Sequence, residues 1–104
     1  MITGISRFQL RPGLTREQAL AEIQETIPVY KGRAGLVRKY ICLDFDKRYG
    51  LGIYLWNDRQ AAESFYAFAR AKIKEQTGSE PEITLLETPV IVDNLTGEVF
   101  VEKT

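Results

Sequence analysis

The chain contains no histidine. That removes the commonest general base, the commonest metal ligand and the usual haem ligand together. Its single cysteine, Cys42, cannot form an intramolecular disulfide, so an oxidising compartment is not implied. Neither sign of charge is in excess, because 14 Lys and Arg balance 14 Asp and Glu. Without a clustered basic block, neither nucleic acid nor an anionic membrane is an expected partner. No apolar run approaches the ~20 residues that span a bilayer. No charged leader with an apolar segment precedes the first strand pattern, and a cytoplasmic location is expected on that ground.

What is present is ordinary for a globular protein, with 44% apolar and 27% charged residues. The 104 residues are expected to form one domain, 1–104. A chain of that length buries a modest core, so pairing with a second copy would add useful stability.

Residues 2–10 alternate imperfectly and read as a strand closed by Arg11-Pro12-Gly13. Thr15 and Gln18 have capping-box spacing for a first helix, in which Ala19, Leu20, Ile23 and Ile27 recur at helical intervals. Pro28 places the end of that helix at Ile27. Strands are expected over 36–44 and 49–57, joined as a hairpin through Phe45-Asp46-Lys47-Arg48. Asp58 is a good N-cap for a second helix reaching about Gln76, with Gly78 as its stop. Its buried stripe is expected at Ala61, Ala62, Phe65, Phe68, Ala69 and Ile73. A last strand over 82–92 is interrupted by Pro89. After it, Asp93-Asn94-Leu95-Thr96-Gly97 reads as a turn, and Val99-Phe100-Val101 as a short closing strand.

The order β-α-β-β-α-β predicts a ferredoxin-like α+β subunit, with both helices on one face of a four-stranded antiparallel sheet. On the third strand Leu51, Ile53 and Leu55 point one way, and Gly50, Gly52, Tyr54 and Trp56 the other. A three-residue hairpin loop would set Val37, Ile41, Leu43 and Phe45 beside that aliphatic row; a two-residue loop would break the register. Either way an aliphatic face is left uncovered, larger than soluble monomers usually tolerate. A second copy packed sheet to sheet would cover it, and the alternative is a C-terminal segment folded back across it.

Tyr54 and Trp56, with Gly52 leaving room beside them, are the first candidates for a ligand pocket under the helices. In the three-residue register Arg38 and Tyr40 join them, and Tyr66 reaches either the pocket mouth or the partner copy. Ser6 and Arg7 are polar residues near the middle of the first strand: either one of them faces a cavity, the pattern not saying which, or they mark an edge of the sheet. Asp44 and Asp46 read as turn formers, not metal ligands. Gly50-Leu51-Gly52 runs into strand, so it is not a nucleotide loop. An RNA-recognition module shares the element order, but its stacking positions would fall on Leu51 and Ile53, which cannot stack bases.

Gly35-Leu36-Val37-Arg38-Lys39-Tyr40, then Gly52-Ile53-Tyr54-Leu55-Trp56-Asn57-Asp58, an Ala/Phe-rich helix and the ending Thr88-Pro89-Val90-Ile91-Val92-Asp93-Asn94 resemble the YdhR-type monooxygenases. These belong to the dimeric α+β barrel superfamily, with the antibiotic-biosynthesis monooxygenases as relatives. The resemblance implies a homodimer whose sheets pack together and a cavity between sheet and helices. It also implies a cofactor-free monooxygenase acting on a small aromatic or quinol-like substrate; the pocket candidates read above from the residues, Arg38, Tyr40, Tyr54, Trp56 and Tyr66, are the side chains expected to hold it. No metal, haem or flavin is expected. The alternative is a dimer that binds a small hydrophobic ligand without turnover. Haem degradation would require a histidine that the chain lacks.

Overall fold

The computed structural model describes residues 1–77 and 80–103, with the side chains of residues 76 and 77 left out. Strand β1 (Ile2–Gln9) leads through a turn into helix α1 (Arg16–Glu25) and a short helical segment α2 (Ile27–Tyr30). Strands β2 (Leu36–Asp44) and β3 (Tyr49–Trp56) form a hairpin, followed by helix α3 (Arg59–Thr77) and strand β4 (Glu82–Glu87). The chain closes with β5 (Val90–Asp93) and β6 (Glu98–Val101). The four long strands make one antiparallel sheet in the order β2-β3-β1-β4, and β5-β6 is a separate ribbon. This is the ferredoxin-like α+β fold expected from the element order. Among the described residues no helix is long and apolar enough to cross a membrane.

Local chemistry accounts for most boundaries. The Thr15 side chain accepts from the Gln18 N–H while the Gln18 side chain accepts from the Thr15 N–H, which completes the capping box of α1. The Asp58 carboxylate accepts from the Gln60 N–H at 2.9 Å and starts α3. The proposed stop of α3, Gly78, lies outside the described residues. Pro89 separates β4 from β5, so the expected last strand divides between two sheets.

The end of α1 corrects the expectation drawn from Pro28. The helix closes two residues earlier, where both the backbone N–H and the hydroxyl of Thr26 donate to the Ile23 carbonyl. Pro28 then sits in the first turn of α2, where its missing N–H costs nothing. Proline starts a helical turn here instead of stopping one, and it brings Tyr30 back over the sheet.

The hairpin register also differs from the expectation. Asp44 pairs with Tyr49 across a four-residue loop, so Lys39, Ile41 and Leu43 lie opposite Tyr54, Gly52 and Gly50. Arg38, Tyr40 and Cys42 lie opposite Leu55, Ile53 and Leu51. Residues directly opposite share a face, so Arg38 and Tyr40 belong to the face away from the helices. Three contacts hold the loop at this length. The Asp44 carboxylate accepts from the Lys47 N–H at 3.1 Å, confirming Asp44 as a turn former. Arg48 takes a left-handed φ of 60°, and its guanidinium donates to the Leu14 and Arg11 carbonyls at 3.0 and 2.8 Å. Those bonds offset the roughly 1 kcal/mol that such a backbone costs a non-glycine residue. A bulge at Val37, between the paired Leu36 and Arg38, returns Leu36 to the helix side beside Trp56.

Helix α3 is rotated by about one position from the expected stripe. Ala62, Phe65 and Tyr66 are buried with Ala69 half-buried, while Phe68 is 61% exposed with the Lys72 ammonium near its ring. The rotation has a cause in the sheet. A Cβ at Gly4 would collide with the Tyr66 hydroxyl and ring, so that glycine is the seat for Tyr66. Gly4→Ala is expected to lower stability by about 2 kcal/mol, seen as a fall of about 10 °C in the melting midpoint. The double change Gly4→Ala with Tyr66→Phe should cost less than the sum of the two single changes, because it removes the atom in closest conflict. Strict additivity in denaturant melts would refute this packing.

Candidate functional site

The helix-facing side of the sheet divides into a sealed aromatic core and an open cleft. Trp56 (0% exposed) and Tyr66 (1% exposed) belong to the core with Ile2, Ala62 and Phe65. The Trp56 indole N–H donates to the Tyr66 hydroxyl at 3.2 Å, which satisfies a donor that burial would otherwise strand. Burial pushes the Tyr66 phenol up to about 12, so it is neutral at physiological pH. Neither side chain lines the cleft.

The cleft, of about 380 Å³, lies between the sheet and the α1–α2 segment. Ser6, Ile41, Gly52 and Tyr54 form its floor, with Ala19 and Ile23 of α1 and Tyr30 of α2 above. Leu10 and Leu14 close its apolar end against Ala19. Arg11 and Glu22 stand at the rim, joined by two hydrogen bonds. Of the pair left undecided by the sequence, Ser6 faces the cleft. The Arg7 guanidinium lies 3.9 Å from the centre of the Tyr49 ring.

Tyr54 is where core and cleft meet. Its ring stacks on Trp56 at 6.0 Å and meets Tyr30 edge-on at 5.9 Å. Burial, reinforced by the neighbouring Tyr30 hydroxyl, holds the Tyr54 phenol far above the ordinary tyrosine range, against the small opposing effect of Ser6. It is a neutral hydrogen-bond donor, not a tyrosinate base. A Cβ at Gly52 would press on the Ser6 hydroxyl and the Tyr54 ring. The room expected beside Gly50 and Gly52 is therefore partly filled: Phe8 covers Gly50, and Ser6 and Tyr54 lean over Gly52.

The four-residue loop brings a residue to the site that the sequence reading passed over. The Lys39 ammonium lies 3.3 Å from the centre of the Tyr30 ring and 4.4 Å from that of Tyr54. Among the described residues no Asp or Glu makes an ion pair with it. Burial pulls its pKa below the ordinary 10.5, with Tyr30 acting in the opposite direction. Lys39 also borders a second groove of about 310 Å³ along the β2 edge, where Thr26, Ile27 and Val37 are neighbours. Parity of the hairpin loop was the only signal that could have found it.

Arg38 and Tyr40 lie elsewhere. On the open face the Arg38 guanidinium donates to the Tyr40 hydroxyl at 3.4 Å and to the Asp93 carboxylate of the β5–β6 ribbon at 3.3 Å. Of the five residues expected to bind ligand, the structure brings Tyr54 alone to the cleft wall. Trp56 and Tyr66 support it from behind. Among the described residues no three His, Cys, Asp or Glu side chains converge as a metal-donor set.

Comparison with known proteins supports the fold. The chain matches no protein-family model and no curated protein. It does match solved structures that share its fold. One is Rv0793 from Mycobacterium tuberculosis, at 20% identity and a TM-score of 0.59, covering 84% of this chain and 93% of that one. Another is NE2512 from Nitrosomonas europaea, a protein of unknown function, at 18% identity and a TM-score of 0.62, covering 84% and 87%. A third is a Deinococcus radiodurans protein proposed to be an antibiotic biosynthesis monooxygenase, at 13% identity and a TM-score of 0.61, covering 89% and 97%. At these identities the likeness carries the fold and leaves chemistry to the residues.

An ammonium held against rings with no carboxylate costs folding free energy. Lys39→Met should therefore stabilise the unliganded protein at neutral pH by about 0.5–1 kcal/mol, allowing for water that still reaches the group. Because the folded pKa lies below the unfolded one, the wild-type deficit is full below the folded pKa and disappears by pH 10.5, the ordinary lysine value. Denaturant melts of both proteins from pH 7 to above pH 10.5 check this. A difference that does not change with pH would refute it.

Proposed function

We propose that two copies of the chain pair through their open sheet faces, and that each binds a planar aromatic molecule in its cleft and oxidises it with O₂ without a cofactor. The observation that carries this reading is the cleft itself: a half-open, largely apolar space lined by two tyrosines, a serine and a lysine among its polar residues, with the Arg11–Glu22 pair at its rim. Such a surface accepts a flat ring and leaves a few donors to orient its oxygens. The structural likeness to antibiotic-biosynthesis-monooxygenase-type proteins and the YdhR-type resemblance of the sequence both favour it, as analogy.

The chemistry asks little of the protein. A substrate with an acidic CH₂ beside an aromatic ketone is oxidised through its anion. The anion passes one electron to O₂, and the resulting radicals combine to form a carbon–oxygen bond. Protonation gives a hydroperoxide, and loss of water leaves a carbonyl, so CH₂ and O₂ become C=O and H₂O. The cleft would supply donors to the developing oxyanion and keep bulk water away. A second reading, binding without turnover, is favoured by the shortage of a base. Tyr54 and Tyr66 are held neutral, and the rim carboxylate of Glu22 is tied to Arg11.

Pairing rests on the other face. Ile5, Leu51, Ile53 and Leu55 run across the central strands, flanked by Tyr40 (53% exposed) and Leu86 (50% exposed). The β5–β6 ribbon does not cover this face, since it leaves Tyr40, Cys42 and Leu86 exposed. It presents a second apolar row of its own, Val90, Val92, Val99 and Val101. The radius of gyration, 15.0 Å, exceeds the roughly 13 Å of a compact chain of this length, as a projecting ribbon requires.

Light scattering should give about twice the 11.9 kDa chain mass. Ile53→Glu should give monomer or aggregate, and a monodisperse wild-type monomer at tens of micromolar would exclude the pairing. For the cleft, an aerobic screen of quinols, anthrones and flavonoids should pair oxygen uptake with ligand-induced thermal shift. Tyr54→Phe is expected to weaken binding or turnover by about fivefold, the effect of one hydrogen bond. A change of less than twofold would make its hydroxyl a packing group.

A further inference from the structure

We propose that Lys39 makes the cleft selective for anions, so that its ligand is a planar aromatic carrying an ionised oxygen, either a carboxylate or an acidic phenolate. The inference rests on the cleft being a ligand site and deepens that reading by naming the ligand's charge. The other cations around the cleft already meet a carboxylate or a backbone carbonyl. Arg11 is bonded to Glu22, Arg48 donates to the Leu14 and Arg11 carbonyls, and Arg7 pairs with Glu82 at 3.9 Å. Arg33 donates to the Val29 carbonyl and lies over the Phe65 ring.

Lys39 differs from them. Its neighbours are the rings of Tyr30 and Tyr54 and the Tyr30 hydroxyl, which attract a cation without neutralising it. Glu22, the carboxylate among the lining residues, is already compensated by Arg11, so the cleft keeps the lysine's net positive charge. Two hydroxyls, those of Tyr54 and Ser6, line the same cleft as the ammonium. The Tyr54 phenol is held in its protonated form, and Ser6 lies beside it. Together they form a cation flanked by donors, which suits an oxyanion and offers little to a neutral or cationic group. The ring of the ligand would occupy the apolar end near Ile41 and Leu14. The depressed pKa of Lys39 agrees, because it records an ammonium partly withdrawn from water.

The test compares naphthoate with its neutral isostere naphthamide by titration calorimetry, using full-length protein. Wild type should bind naphthoate at least about tenfold more tightly, the scale of a charge-assisted hydrogen bond. Lys39→Met should bring the two affinities within about threefold, chiefly by weakening naphthoate, and Lys39→Arg should keep the preference. Amide chemical-shift changes should centre on Ser6, Ile23 and Ile41. If both compounds bind there equally, or if the preference survives in Lys39→Met, the anion inference is overturned and the cleft reading stands. If neither binds, or the shifts map elsewhere, both readings fall.

Discussion

A large aromatic side chain can lie flat on a β-sheet only where the strand beneath it lacks a Cβ. Three glycines on the helix-facing side provide such places. Gly4 receives Tyr66, Gly50 receives Phe8, and Gly52 receives Ser6 and the Tyr54 ring. In register, Gly4 pairs with Tyr54, Ser6 with Gly52 and Phe8 with Gly50, so every glycine in the central ladder faces a residue that leans over it or its neighbour. The rest of the helix layer follows from this row. Tyr66 fixes the rotation of α3, its hydroxyl receives the Trp56 N–H, and the stack of Trp56 on Tyr54 carries the aromatic layer to the edge of the cleft. Remove the glycines and the helix layer must lift off the sheet.

Much of this was legible in sequence, and the exceptions share a cause. Element order, the capping box at Thr15, the cap at Asp58 and the uncovered aliphatic row all rest on local chemistry or on strict period-two alternation. What alternation cannot supply is parity between two strands. One residue more in the 45–48 loop moved Arg38 and Tyr40 to the open face and turned Lys39 into the cleft. The choice was made by the Asp44 turn bond and by Arg48, whose partners are the carbonyls of Arg11 and Leu14, over thirty residues away in sequence. Phe68 is a second case. Its spacing from Phe65 suits a buried stripe, but the stripe's phase was set by Gly4 on another element. Sites assembled by contacts distant in sequence are the ones a single sequence shows least well.

The aromatic cluster has two functions that its residue types do not distinguish. Tyr66 and Tyr54 are both buried phenols, both kept protonated by desolvation. Tyr66 uses its hydroxyl inside the core, as acceptor from Trp56. Tyr54 has Ser6 and Tyr30 at its hydroxyl and borders open space, so its donor can reach a ligand. Position relative to the helix layer decides between them. The same logic applies to Lys39, a residue that reads as an interruption in an apolar strand until its neighbours are known.

Central strands β1 and β3 carry both surfaces at alternate positions. Ser6, Gly52 and Tyr54 face the cleft, and Ile5, Ile53 and Leu55 face outward where a second copy would pack. These strands pair along their whole length at the middle of the sheet, so the part of the cleft floor they supply is held by ladders on both sides. Its roof is different. Helix α1 buries fully only Ala19, and α2 is a single turn with no buried residue. Elements with so little burial open at lower free-energy cost than a paired central sheet. Adjustment to ligands of different size would therefore fall to α1, α2 and Tyr30, over a floor whose ladder sets the register of Ser6, Tyr54 and Lys39. A second copy on the far side would stiffen that floor further without touching the roof, so the proposed pairing and ligand entry would use opposite faces of the same two strands.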